Sequence, residues 1–219
     1  MSTIFADGSV VGFATVAGTA VPFSAITNAK PPIADITGDL DEGDVIAISS
    51  NNGALNRRPT VAGTVDSSGA ELLGLDTTNT TLYPASGITG SLVAWSDFVD
   101  FSQQGDLAIS GGEPQTYTGK YLEDPFGQEF AIPIGATARQ YTLPLDYDDT
   151  LPWYAAAITA TAERKPRVIR IKLPNGDMYY EYGYLHFNPS PALSSGNPAK
   201  NTATLLVFNE RGTLIKAGA

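Results

Sequence analysis

The chain has no cysteine, a single histidine and few charges of either sign. Without thiols there can be no disulfide, no thiolate nucleophile and no cysteine-ligated zinc. The lone His186 sits inside the alternating stretch YEYGYLHF. With no second histidine and no Gly-x-Ser-x-Gly elbow, an acyl-transfer triad lacks its parts, and His186 is read as a strand-face residue. A phosphate-cradling loop is also missing, because SGGEPQ at residues 110–115 has two glycines but no following Gly-Lys-Ser/Thr. No run approaches the ~20 apolar residues of a membrane span. The opening MSTIFADGSVVGFATVAGTAVPF has no Lys or Arg before its apolar stretch and is interrupted by Gly, Thr and Pro, so neither a signal peptide nor a membrane partner is expected. No catalytic residue, metal ligand or cofactor is assigned.

What charge there is lies unevenly. The net charge is −10, and residues 1–110 hold 12 acids against 3 bases while residues 111–219 hold 11 against 10. A surface of that sign repels phosphate, which argues against sequence-specific nucleic-acid binding and suits a wall past which DNA must slide. Hydrophobic residues make up 42% of the 219, enough to exclude a disordered chain and to fill a core.

The remaining composition is that of a mainly β protein. Glycines, prolines and runs of Thr, Val and Ile alternate with turn signals every eight to twelve residues or so. Strands are expected at 10–16, 45–49, 60–65, 71–75, 92–95, 116–122, 139–145, 168–173, 178–187 and 203–208. In RVIRIKLPNGDMYYEYGYLHF, Ile169, Ile171 and Leu173 alternate with Arg170 and Lys172 before Asn175-Gly176, a hairpin signal that calls for positive φ. One helix is expected near 150–164, in DDTLPWYAAAITATAERKP, with Asp149 or Thr150 as N-cap, Pro152 in the first turn and Arg164 and Lys165 at its end. Such a lone helix plugs or flanks a sandwich. The organisation divides into an N-terminal arm and first core strand at 1–23, a small accessory β module at 24–92, and a β-sandwich core at 93–219.

Three clusters could carry chemistry. TGDLDEGDVIAISS places Asp39, Asp41, Glu42 and Asp44 within six positions. Against the calcium loop it fails, because Gly43 and Asp44 occupy the fifth and sixth positions and Ser50 the twelfth, so a Gly-Asp turn leading into a strand is expected. Tyr180, Tyr182 and Tyr184 share one strand face with Tyr179 on the other, a pattern that suits core and subunit contact. The basic run RKPRVIRIK offers Arg164, Lys165, Arg167, Arg170 and Lys172 as ionic contacts to acids of a neighbouring subunit. The alternative is a carbohydrate-binding β-sandwich of a phage or bacterial surface adhesin, with the Tyr strand and Trp95 or Trp153 as its platform.

The order of segments adds a further indication. AITNAKPPIADITGDLDEGDVIAIS, ALNRRPTVAGTV, LLGLDTTNTTLYP, the Trp-containing residues 93–98, SGGEPQTYTGKYLED, IPIGATARQYTLPLDYDDTLPWYAAA and PRVIRIKLPNGDMYYEYGYL follow one another over most of the chain. This layout resembles the major tail tube proteins of long-tailed, siphophage-like bacteriophages, in the branch with an additional N-terminal β module. The resemblance implies a non-enzymatic virion protein, made in the host cytoplasm, whose β-sandwich/barrel subunit with one flanking helix forms homohexameric rings. Those rings stack into a tube that conducts double-stranded DNA without binding it. Tape measure, terminator and tail tip proteins are the implied partners. Arms and a long hairpin reach the adjacent ring, so Met1, Ser2, Thr3, Ile4 and Phe5, the turn Asn175, Gly176 and Asp177, and Leu214, Ile215 and Lys216 are the expected contact elements.

Overall fold

The structure, a computed structural model, describes residues 6–208 and 212–218. Strands account for 52% of the described residues and helix for 6%, placing the chain in the mainly β class expected from the alternation. The first six strands are β1 (Val10–Ile26), β2 (Ile33–Ile36), β3 (Val45–Ser50), β4 (Pro59–Asp66), β5 (Gly69–Leu73) and β6 (Gly90–Asp100). They are followed by β7 (Ala108–Ser110), β8 (Pro114–Lys120), β9 (Glu129–Ala136), β10 (Gln140–Asp146), α1 (Pro152–Glu163), β11 (Arg167–Lys172), β12 (Met178–Ala192), β13 (Lys200–Val207) and β14 (Thr213–Ile215).

The hydrogen-bonded order β2-β5-β4-β3-β6-β1 closes on itself because β2 also pairs the far end of β1, with Phe23 opposite Ile36 and Ile26 opposite Ala34. Six strands thus form a small barrel. Its interior holds Val21, Phe23, Ile46, Ile48, Leu55, Leu72, Leu75 and Leu92, all buried. Closure removes the exposed edges that short strands would otherwise present. The acidic stretch lies on its surface: Asp39, Asp41 and Glu42 are exposed, Gly43 takes φ +91°, and the Asp44 carboxylate accepts the Asp41 amide at 3.0 Å.

β1 and β6 are long enough to serve a second sheet. The first half of β1 pairs β11, Val10 opposite Lys172, and the sheet continues through β12, β13 and β10 to β7. Positions 23/24 and 92/93, the module limits read from sequence, fall inside β1 and β6. One face of this sheet buries Phe13, Leu143, Leu145, Ile169, Ile171, Leu185, Phe187 and Leu205 against α1, which contributes Trp153, Ala157 and Ala160. The other face meets the barrel wall. On β3, Ile46 and Ile48 point into the barrel while Val45 and Ala47 pack on Val168 and Tyr180 of the sheet, so period-two alternation feeds two cores from one strand.

Two local expectations need correction. α1 starts after Leu151 with no side-chain cap, and its first turn carries no acid and its last turn no base. Asp148 instead accepts the Thr150 amide at 3.0 Å, forming a turn before the helix. Arg164 ends the helix in the left-handed region at φ 53°. The β11–β12 turn also differs: the Gly176 amide bonds Leu173 O at 3.0 Å and only Gly176 has positive φ. It is a three-residue loop with Pro174 in the first turn position, which leaves Asn175 in an ordinary conformation.

Candidate assembly surfaces

The element standing apart from the body is the β8–β9 hairpin. Among the described residues its strands pair only with each other, Pro114 opposite Ala136 and Lys120 opposite Glu129, and none of its side chains belongs to a core. Alternation in two antiparallel strands gathers Tyr117 and Tyr121 with Phe130, Ile132 and Ile134 on one face. Gly119 leaves the space in which the Phe130 ring lies, and Tyr121 stacks on that ring at 4.8 Å. The tip is tied by Asp124, whose carboxylate accepts the amides of Phe126 and Gln128 at 2.9 and 3.0 Å. The arm is therefore ordered from within yet leaves its apolar side in solvent: Leu122 is 101%, Phe126 87% and Ile134 67% exposed. A two-stranded ribbon with an uncovered apolar face is marginal in water, so this one calls for a partner surface. Sequence reading found β8 but not β9, because Pro133 and Gly135 obscure the alternation Phe130, Ile132, Ile134.

At the arm's base, Gly111 and Gly112 take φ +80° and +82°. A Cβ at Gly111 would fall 2.0 Å from Ala138 O, so the two strands cross closely there and only glycine fits. The neighbouring β7 is the last strand of the large sheet, with an open outer edge among the described residues and Ile109 exposed.

The expected contact residues occupy distinct places. Met1, Ser2, Thr3, Ile4 and Phe5 lie outside the described residues. Asn175, Gly176 and Asp177 form the β11–β12 turn, and Leu214, Ile215 and Lys216 lie beside it, because β14 pairs the start of β12 with Ile215 opposite Met178. The Ala217 amide donates to Asp177 Oδ1 at 2.9 Å. That bond, together with Asn175, holds the Asp177 carboxyl below its usual range. Val10 pairs Lys172, so the chain from residues 6–9 joins the sheet at this same end.

The basic run divides. Arg167 is buried, donating to Ala14 O at 3.0 Å and to Glu163 at 3.1 Å. Arg170 and Lys172 both grip Asp100, at 3.0 and 2.7 Å. Burial works against the Asp100 charge, but the bonds from Lys172 and Arg170 outweigh it and its pKa falls. Arg164 and Lys165 remain exposed at the end of α1, where neither forms an ion pair among the described residues.

A second exposed surface is the part of the sheet that neither α1 nor the barrel covers. Register sets His186 of β12 opposite Thr204 of β13, which is opposite Thr142 of β10, and in the next row Asn188, Thr202 and Pro144. These two rows are polar and nearly uncharged, flanked on one side by the row Tyr184, Leu206 and Gln140 and on the other by the ion pair of Lys200 and Asp146 at 3.7 Å. Among the described residues no three metal-ligating side chains converge.

A buried acid also lies near the arm. Glu181 on β12 is 1% exposed and its Oε1 accepts Arg139 at 2.7 Å and the Tyr141 hydroxyl at 2.8 Å. Burial raises its pKa, and the hydroxyl and guanidinium only partly oppose that rise.

Residues 50–217 match a protein family described as phage tail tube protein, TTP. No curated protein matches the chain.

Proposed function

The chain belongs to the phage tail tube protein family, a structural and non-enzymatic component of the virion tail, and from that premise we propose that its subunits close into six-membered rings that stack into a DNA-conducting tube. The observation that carries this reading is the arm: an ordered hairpin whose apolar face is left uncovered by the described residues of its own subunit. On a second copy that face gains the burial it lacks, each large side chain contributing about 1.5–3 kcal/mol before ordering costs. The open edge of β7 offers strand pairing around the ring, where closure turns an aggregation hazard into a joint. The Asn175–Asp177 turn and the adjoining residues Leu214, Ile215 and Lys216 form a second contact point, to which we add Met1 to Phe5 from the sequence alone. Arg164 and Lys165 supply ionic contacts to a neighbour's acids. Tape measure, terminator and tip proteins meet the ends of the stack, and the host cytoplasm is where the chain is made.

We assign the Thr142, Thr202, Thr204, His186 and Asn188 face to the lumen. DNA slides past hydroxyls and amides without the counterion release that a basic wall would reward. The acidity then belongs elsewhere: Asp39, Asp41 and Glu42 sit on the barrel module, which decorates the outside and aids solubility. Negative-stain microscopy of the concentrated protein tests the assembly, rings or tubes with a central hole being expected and a persistent monomer refuting it. The lumen assignment has its own check in Thr202→Lys/Thr204→Lys. Particles should assemble normally but eject DNA more slowly at low salt, with recovery as salt rises; an ejection rate indifferent to both substitution and salt would move the lumen to another face.

A further inference from the structure

The arm's hinge and the C-terminal strand meet at one buried carboxylate. Arg139 belongs to the short link between β9 and β10, directly beside Gly111 and Gly112, and its guanidinium reaches inward to Glu181. From the other side Gly212, which leads into β14, lies against the same group: its amide donates to the Tyr179 hydroxyl at 3.0 Å. A Cβ there would fall 2.6 Å from Tyr179 Cζ and 2.7 Å from Glu181 Cδ. Tyr141 of β10 completes the cluster. The remaining path between the two elements runs through sheet strands already fixed by ladder bonds, whereas these four side chains and one glycine join them directly.

We infer that the Glu181 cluster is a shared latch that couples the direction of the β8–β9 arm to the seating of β14. Seating of β14 fixes Tyr179 and Glu181, Glu181 fixes Arg139, and Arg139 sets the hinge at which the two glycines would otherwise allow the arm to swing. Coupling of this kind is reciprocal, so holding the arm also tightens β14. The geometry belongs to the isolated subunit; its use, letting one contact element prepare the other during stacking, rests on the tube reading above.

Amide hydrogen exchange on the dispersed monomer tests the latch without requiring assembly. Gly212→Ala places a methyl into the cluster while leaving every arm and hinge residue unchanged. The amides of Gly112 and Thr137, which bond across the arm's base to Thr137 O and Glu113 O, should exchange about fivefold faster or more. The barrel amide of Ala62, bonded to Asp44 O, should stay as it is. Tyr179→Phe removes the acceptor of the Gly212 amide without adding bulk and should act in the same direction. Arg139→Gln should loosen the β14 amides in return. Unchanged hinge amides in Gly212→Ala, or an equal rise at Ala62 showing general destabilisation, would overturn the coupling. Failure of the wild-type protein to form tubes would overturn only the tube reading.

Discussion

A variant in which a short Gly-Ser link replaces residues 114–136 should fold as the parent does and fail to polymerise. The arm contributes nothing to the three buried clusters, and among the described residues its strands pair only with each other. Its removal therefore leaves thermal unfolding within about 2 °C, a shift corresponding to about 0.5–1 kcal/mol for a chain of this size. Assembly loses the opposite way. Tyr117, Tyr121, Phe130, Ile132 and Ile134 would bury at a neighbour, and loss of even half their combined burial is several kcal/mol per subunit, repeated at every joint. Since each 1.4 kcal/mol is tenfold in an association constant, tubes should vanish at concentrations where the parent forms them readily. Sedimentation velocity and microscopy on matched samples measure this. Tubes of ordinary length from the armless chain would show that the arm is not a joint. A milder version, Leu122→Ser/Phe126→Ser at the tip, separates tip contacts from those of the ribbon face.

Trp153→Ala should be the most damaging single substitution to the fold, at about 3–5 kcal/mol. The indole is 1% exposed, with Phe101 and Phe187 each 5.6 Å away edge-on, and its Nε1 donates to Ser102 Oγ at 3.1 Å. Truncation opens a cavity between α1 and the sheet that the surrounding strands cannot collapse into, because their positions are set by ladders on both sides. Trp153→Phe should recover most of the loss, failing only in the hydrogen bond and the remaining volume. Urea midpoints give the comparison. A cost under about 1 kcal/mol for the alanine variant would show that α1 is an attachment to the sheet rather than part of its core.

The barrel and the sheet could be anticipated to different degrees. Alternation in RVIRIK and MYYEYGYLHF identifies β11 and β12, and Asn175-Gly176 the turn between them, because strand faces and turn residues are local properties. The same reasoning stops β1 at residue 16, where small residues replace the alternation; yet the strand runs to Ile26, since pairing to β6 and β2 holds a stretch that its own sequence does not demand. Helix capping departs from the local pattern for a related reason. Asp148 and Thr150 satisfy each other in a turn, and α1 takes its stability from Trp153, Ala157 and Ala160 in the core.

The charges show the limit most clearly. That RKPRVIRIK is basic, that the acids crowd into the first half and that no thiol, triad or phosphate loop is present follow from the residues themselves. These features, with the strand and turn periodicities, determined a mainly β chain. Which charges remain available to a partner was decided only by the tertiary structure. Arg167 bonds a carbonyl 153 residues away and Arg170 a carboxylate 70 residues away, pairings that come from barrel closure and sheet register, which no local pattern encodes. The arm is the converse case: its apolar residues stand in the sequence, but whether that face is core or surface depends on what folds over it, and here none of the described residues does.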